Sequence, residues 1–458
     1  MSVDVNNIIA ECTAYDFKSC VEVRKPESWL KSVSAFANGQ GGSLFWGIDD
    51  AGNVIGVEDV QQAAEAISDR LREYMDPSPD VELVPHHQGD VCILELKVAS
   101  GSYTPYYYVG DGSRMAFVRI GNESVPATSE QMQRLVLKGT NRTYDSLVTE
   151  EHEEDYSFAL LSSTYKERLH QTFEKKYLKS FGLVTEDGRM TNAGLLFSDY
   201  CPLKHSRLYC TRWDGNEKDN AINDAEFEGT NILLLLREGM DFIKANTRRG
   251  WEKLPDRRKN TPEYAERALL EALVNHLIHR DYTMVGGEVH LDVYDDRICI
   301  TSPGGMYNGR LIQELDISEV SSERRNPVLA NVMSQLDYME KRGSGLKRIC
   351  EETSLLDGYE DSIKPMFKSS ATQFSTTIMN VSAVKEKSKE KSKEKIIAAM
   401  QNDPSVTTTD LMELCTLSES AIYKIVRELR EEGVIKRRGG AKGGHWEIVY
   451  SINFPANE

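Results

Sequence analysis

Residues 265–282 read Ala265-Glu266-Arg267-Ala268-Leu269-Leu270-Glu271-Ala272-Leu273-Val274-Asn275-His276-Leu277-Ile278-His279-Arg280-Asp281-Tyr282, an amphipathic helix running into a polar turn. Glu271 and Asn275 are one helical turn apart and share a face, so a carboxylate and an amide point at one ligand. A carboxylate there can orient a water. The amide oxygen suits Mg²⁺, a hard cation that prefers oxygen. His279 and Asp281 read as anchors of the helix end rather than as part of a metal site built by protein ligands.

Downstream, Val289, Leu291 and Val293 alternate with polar residues, Asp295-Asp296 turns the chain, and Ile298 and Ile300 bring it back. The resulting hairpin delivers Ser302-Pro303-Gly304-Gly305-Met306. Arg325-Asn326-Pro327 predicts another helix start, and Lys341-Arg342-Gly343-Ser344-Gly345-Leu346 a second glycine turn opening onto a helix. Amides at such an N-terminus suit a phosphate. No Gly-x-x-x-x-Gly-Lys-Ser/Thr segment is present, which removes the usual P-loop alternative.

Together these segments resemble the GHKL-type ATP-binding domain found at the C-terminal side of many Schlafen-domain bacterial regulators, with His279-Arg280-Asp281-Tyr282, Pro303-Gly304-Gly305 and Arg325-Asn326-Pro327 as landmarks. The resemblance implies ATP or a related nucleotide with Mg²⁺, Glu271 as water activator and Asn275 as the Mg²⁺ ligand. Gly304, Gly305, Gly343 and Gly345 would line the nucleotide. Ser302 stands where the family places the adenine-recognising Asp of its Asp-x-Gly-x-Gly turn.

Toward the N-terminus, Trp29, Leu30, Val33, Phe36 and Ala37 recur at helical spacing. Asn38-Gly39-Gln40-Gly41-Gly42 then breaks the helix before the apolar strand Leu44-Phe45-Trp46-Gly47-Ile48. Asp49-Asp50-Ala51-Gly52-Asn53 signals a hairpin, and 91–96 and 116–120 read as later strands. Ser34 to Asn38, Gly41-Gly42, Gly47-Ile48-Asp49-Asp50, Gly56-Val57 and Phe117-Val118-Arg119-Ile120-Gly121 resemble the Schlafen AlbA-type domain. That resemblance implies a nucleic-acid-binding module, with nuclease activity in some members. Tyr15-Asp16-Phe17-Lys18 replaces the usual Glu-x-Lys-like segment, which argues against the nuclease. Asn38, Gly41 and Gly42 have a structural reading as turn formers. In the functional reading the turn, with Lys18 and Arg119, approaches phosphates.

At the other end, Lys385-Glu386-Lys387-Ser388 opens a low-complexity repeat running to Lys395, without apolar anchors; it reads as a tether, in part helical. Beyond it come a helix from Lys395, a second over 409–415 and a third capped by Ser418, with Ile422, Ile425, Val426 and Leu429 at core spacing. A hairpin over 433–449 completes a winged helix-turn-helix. Ser420, Tyr423, Lys424 and Arg427 would meet a DNA groove, with Lys436, Arg437, Arg438 and Lys442 on phosphates.

The composition fits this organisation. A formal charge of −17 over 458 residues excludes a chain that coats nucleic acid non-specifically, so any basic surface is local. No apolar run is long enough for a membrane span. Residues 1–7 show neither the basic start nor the apolar stretch of a secretory signal, so none is expected, and eight scattered cysteines without Cys-x-x-Cys read as buried free thiols. A cytoplasmic location with no membrane partner follows as an expectation.

The expected fold is an α+β multidomain chain: a Schlafen AlbA-type domain over 1–140, an intermediate region over 141–249, a GHKL-like α/β sandwich over 250–384, a charged linker over 385–395 and a winged helix over 396–458. The expected function is a nucleotide-responsive, DNA-binding transcriptional regulator, with self-association as a further partner expectation. Two other readings stay open at this point: an enzyme, either a weak ATPase or a Schlafen-like nuclease, and a protein-interaction scaffold.

Overall fold

The structure is a computed structural model that describes residues 13–49, 52–88, 91–110, 112–253, 258–307, 309–317, 320, 323–339, 344–440 and 443–449. Gly343 and Lys442, both expected at binding sites, lie outside the described residues.

In the N-terminal module the helix Glu27–Asn38 packs against two four-stranded sheets. One runs in the order Tyr15–Lys18, Gly42–Trp46, Val91–Val98, Val81–Gln88; the other in the order Met75–Asp76, Tyr107–Gly110, Ser113–Ile120, Glu123–Pro126. Trp29, Leu30, Val33, Phe36 and Ala37 are fully buried, so the helical spacing marks a real core stripe. The helix ends where Asn38 turns its amide inward: Nδ2 donates to the carbonyls of Tyr106 (2.9 Å) and Phe117 (3.0 Å), and Oδ1 accepts from Tyr106 N at 2.8 Å. Gly41 has φ +84°, and a Cβ there would stand 2.7 Å from the Val98 carbonyl. The Asn-Gly turn therefore fastens helix to sheet.

The central domain is built on a six-stranded sheet in the order Ala221–Glu228, Arg207–Trp213, Val289–Val293, Arg297–Pro303, Gln373–Met379, Met366–Ser369. Only Arg207–Trp213 against Val289–Val293 is parallel. Helices Ile232–Asn246 and Glu266–His279 supply the crossover that a parallel pair needs. The stretch 141–249, expected as an intermediate region, thus contributes two strands to the same sheet and a long helix packed against it. One hydrophobic cluster runs from Leu161 through Leu236, Leu273 and Leu291 to Ile378.

The repeat read as a tether lies within one continuous helix, Val381–Asn402. Its sequence has neither Gly nor Pro, and Glu and Lys recur three apart along the repeat, as at Glu390 and Lys393. At its far end Ile396, Ile397 and Met400 enter the core of the C-terminal module. There the helices Thr408–Cys415 and Glu419–Glu431 and the antiparallel pair Ile435–Arg438 and His445–Ile448 complete a winged helix. Among the described residues no helix is long and apolar enough to cross a membrane.

Candidate functional site

Glu266–His279, the site helix, presents Glu271 and Asn275 to a cavity of about 140 Å³ that is also lined by Ser302, Gly304, Gly305 and Gly345. Glu271 is buried and Asn275 half-buried. The start of the helix Gly345–Ser354 lies directly on this face: a Cβ at Gly345 would sit 2.8 Å from both Glu271 Oε1 and Asn275 Nδ2. Glycine lets both side chains keep this position at close approach. The Asn275 side chain forms no hydrogen bond among the described residues, leaving its amide available to a ligand. Met306, Met339, Leu346 and Phe374 add apolar surface to the same cavity.

The three sequence landmarks prove to be one hub at the cavity rim. Asp281 N donates to the Pro303 carbonyl (2.8 Å), while its carboxylate accepts from Thr283 N (3.0 Å) and Oγ1 (2.6 Å). Arg325 donates to the carbonyls of His279 (3.1 Å) and Gly305 (2.9 Å), and burial pushes its pKa down. Asn326 Nδ2 donates to Ile278 O (2.8 Å) and Arg280 O (2.9 Å), satisfying carbonyls that the ending helix leaves open. The side chains of Arg325 and Asn326 thus hold the helix end through its last carbonyls.

Gly304 and Gly305 line the cavity, but protein packing alone requires them to be glycine. At Gly304, with φ +89°, a Cβ would lie 2.3 Å from Arg325 Nη1. At Gly305 it would lie 1.9 Å from the Ser370 carbonyl. Ser302 is buried, and its hydroxyl shares a hydrogen bond of 2.9 Å with His276 Nδ1, while His276 Nε2 pairs with Thr376 Oγ1 at 3.0 Å. Burial is the main cause that lowers the His276 pKa to about 3, so this imidazole is a neutral strut at ordinary pH. His279 is lowered to about 4, again mainly by burial. The sequence reading missed the His276–Ser302–Thr376 chain because its members are far apart in sequence.

A Mg²⁺ bound with nucleotide phosphates takes few protein ligands, and those are oxygens. An unpaired Asn275 amide beside the Glu271 carboxylate fits that donor set. Among the described residues no cluster of three His, Cys, Asp or Glu could hold a metal by protein ligands alone.

In the N-terminal module Lys18 and Arg119 come together around Asp16. Lys18 Nζ lies 2.9 Å from Asp16 Oδ1, and Arg119 Nη1 lies 3.7 Å from Asp16 Oδ2. Ser32 also donates to Asp16. Arg119 donates further to Tyr15 O (3.0 Å) and Ser124 Oγ (3.1 Å), and its side chain is only 6% exposed. Its guanidinium is engaged with the interior of the module.

In the winged helix Ser420, Tyr423, Lys424 and Arg427 all lie on the exposed side of the recognition helix Glu419–Glu431, opposite Ile422, Ile425 and Leu429. Ser418 caps it, accepting from Ala421 N. Lys424 and Lys436 have no acidic partner among the described residues, whereas Arg427 pairs with Glu431 (2.9 Å) and Arg438 with Glu447 (2.6 Å). Arg437 stacks over the Trp446 ring at 5.0 Å. Lys393 of the connecting helix Val381–Asn402 holds Glu432 (2.6 Å) and Glu428 (3.8 Å), so these two acids are partly neutralised.

Comparison with known proteins gives three matches in the order expected from the sequence. Residues 11–128 match the family described as Schlafen, AlbA_2. Residues 286–378 match an ATPase-like family described as "Putative ATP-dependent DNA helicase recG C-terminal". Residues 389–436 match winged helix-turn-helix DNA-binding. The ATPase-like match begins after the site helix, so Glu271 and Asn275 stand outside it. Among solved structures, the DIP2311 protein of Corynebacterium diphtheriae is 18% identical with a TM-score of 0.46, over 95% of this chain and 92% of that one. The N-terminal domain of a RecG-related protein from Nitrosomonas europaea is 20% identical with a TM-score of 0.22, over 27% of this chain and 90% of that one. No curated protein matches.

Proposed function

We propose that this chain, with Schlafen AlbA, ATPase-like and winged-helix modules in that order, is a DNA-binding transcriptional regulator whose DNA binding responds to a bound nucleotide. The observation that carries this reading is the single cavity that gathers Glu271, Asn275, Gly304, Gly305 and Gly345 from three separate stretches and leaves the Asn275 amide without a partner among the described residues. Its polar groups suit phosphates with Mg²⁺ on Asn275, and its apolar surface suits a base. Mg²⁺ there would neutralise phosphate charge. Ser302, already tied to His276, would meet the base in place of an Asp.

The chain also offers a route from cavity to DNA-binding module. Phe374 lines the cavity on the strand Gln373–Met379, which runs into Asn380 and the connecting helix. Asn380 accepts from Ser382 N (2.9 Å) and donates to Asp295 O (3.0 Å), so the root of that helix is fixed to the sheet. A ligand that shifts this strand shifts the helix. Allosteric coupling of this kind is typically worth 1–3 kcal/mol, about 5- to 150-fold in DNA affinity.

Titration with Mg²⁺ and purine nucleotides by calorimetry, followed by duplex binding with and without the nucleotide that binds, tests the reading. Asn275→Ala is expected to weaken nucleotide binding at least tenfold while leaving nucleotide-free DNA affinity unchanged. If no purine nucleotide binds, the sensing reading fails. If deletion of 385–458 leaves duplex affinity intact, the winged helix is not the DNA contact. A second reading, hydrolysis, is favoured by the buried Glu271 carboxylate beside Asn275 at the cavity. Loss of turnover with retained binding in Glu271→Ala supports it, and unchanged turnover removes Glu271 as the water activator.

A further inference from the structure

A second, larger hollow of about 590 Å³ opens between the N-terminal module and the central domain. One wall is the helix Ser129–Gly139 and the turn after it; the other is the hub at Asp281, Tyr307 and Arg325. The wall helix ends because Asn141 adopts the left-handed conformation (φ 53°), which Asn tolerates, and Arg142 N then reaches back to the Leu137 carbonyl at 3.0 Å. That closure sets Arg142 beside Lys138 on the cleft. Neither has an acidic partner among the described residues. Arg142 makes no side-chain hydrogen bond or ion pair, and Lys138 only a long contact of 3.5 Å to Ser100 Oγ.

The other charged groups facing the cleft are mostly engaged. Arg134 pairs with Asp281 (3.0 Å) and Glu130 (2.6 Å), Arg325 donates to carbonyls, and Arg119 is held at Asp16. Glu323 is the remaining acid. Lys138 is half-buried, and desolvation lowers its pKa, so an anion beside it would relieve that cost. Tyr307, about half exposed, stands where the cleft meets the nucleotide cavity and offers a ring for stacking. Unpartnered cations along a groove with an exposed aromatic are the features that take single-stranded nucleic acid. A hollow of this size between two walls accommodates a strand, not a duplex.

We propose that this inter-module cleft is a second nucleic-acid site, which holds a single strand by its phosphates on Lys138 and Arg142 with a base against Tyr307. The site is separate from the winged helix, so the two stand or fall independently. Anisotropy of a labelled oligothymidylate with the full chain tests it. The double variant Lys138→Ala/Arg142→Ala is expected to bind about tenfold more weakly, and its plot of log affinity against log salt to flatten by about 1.4, the value for two lost phosphate contacts on a single strand. Lys424→Ala/Lys436→Ala in the winged helix leaves both quantities unchanged, and Lys138→Arg/Arg142→Lys restores them. Should the double variant melt early, Arg142→Glu, at an exposed and unpaired position, gives the same readout. Unchanged single-strand affinity in the cleft variants overturns the proposal, as does an equal loss in the winged-helix pair or an equally strong, cleft-dependent affinity for duplex.

Discussion

The site helix and the recognition helix are almost the same length, 14 and 13 residues, yet they place their polar residues in opposite settings. Glu271 and His276 are buried within the central domain, whereas Tyr423, Lys424 and Arg427 face solvent. A polar group of the first kind has lost its water and depends on one or two neighbours. One of the second kind keeps its hydration and acts with others through a summed field. Substitutions near the cavity should therefore be few and large in effect, and those on the winged helix many and small.

Two glycines put the sharpest test on that contrast. Gly305 would bring a Cβ to 1.9 Å from the Ser370 carbonyl, a backbone atom that cannot rotate away, whereas Gly433, just after the recognition helix, has φ +74° and nothing within 4 Å. Gly305→Ala is expected to destabilise the central domain by about 3 kcal/mol through overpacking. Gly433→Ala should cost about 1 kcal/mol, the left-handed backbone penalty alone. Urea unfolding followed by a probe in each module measures both. Similar losses would erase the distinction between the regions.

Buried and exposed groups also differ in their response to acid. His276 has a folded pKa of about 3, below its ordinary 6.5, so the unfolded chain binds the proton more readily. Its contribution is fully present above pH 6.5 and is lost progressively as pH falls from 6.5 toward 3. Stability of the central domain should decline by a few kcal/mol across that window. His276→Gln, which keeps side-chain hydrogen-bonding capacity but cannot take the proton there, should flatten the decline relative to the parent. A parallel decline in parent and variant would show that His276 is not the group responsible.

These contrasts explain which parts of the molecule were legible in the sequence. The site helix, the hairpin that carries Ser302 and the winged helix were readable because their signals are local: apolar spacing, turn residues and caps. The grouping of Glu271, Asn275 and the glycine turns followed from their order and from resemblance. What those glycines touch did not, since Ser370 and Arg325 are distant in sequence. The joining of 141–249 to the central sheet was hidden for the same reason: Leu208 pairs with Val289 only after a long crossover. The repeat after 385 lacks apolar residues, so pattern alone suggested a tether. Helix propensity and the docking of its far end through Ile396 and Lys393 account for its being one continuous helix. Arg119 shows the converse error, a cation that looked free on a strand and is folded against Asp16.

The smallest effects belong to the recognition helix and wing, and there pairing sets the order. Lys424 and Lys436 have no acidic partner among the described residues, while Glu431 already neutralises much of Arg427 and Glu447 does the same for Arg438. If duplex phosphates meet this face, Lys424→Ala and Lys436→Ala should each lower the slope of log affinity against log salt by about 0.9, with a few-fold loss of affinity at moderate salt. Arg427→Ala and Arg438→Ala should change the slope less, because each cation must leave a carboxylate before it can reach a phosphate. Exposed ion pairs of this kind are worth at most about 1 kcal/mol, so they dampen a phosphate contact without preventing it. The larger slope change on the arginines would mean that their pairs open on binding and that the groove is read from a different side of the helix.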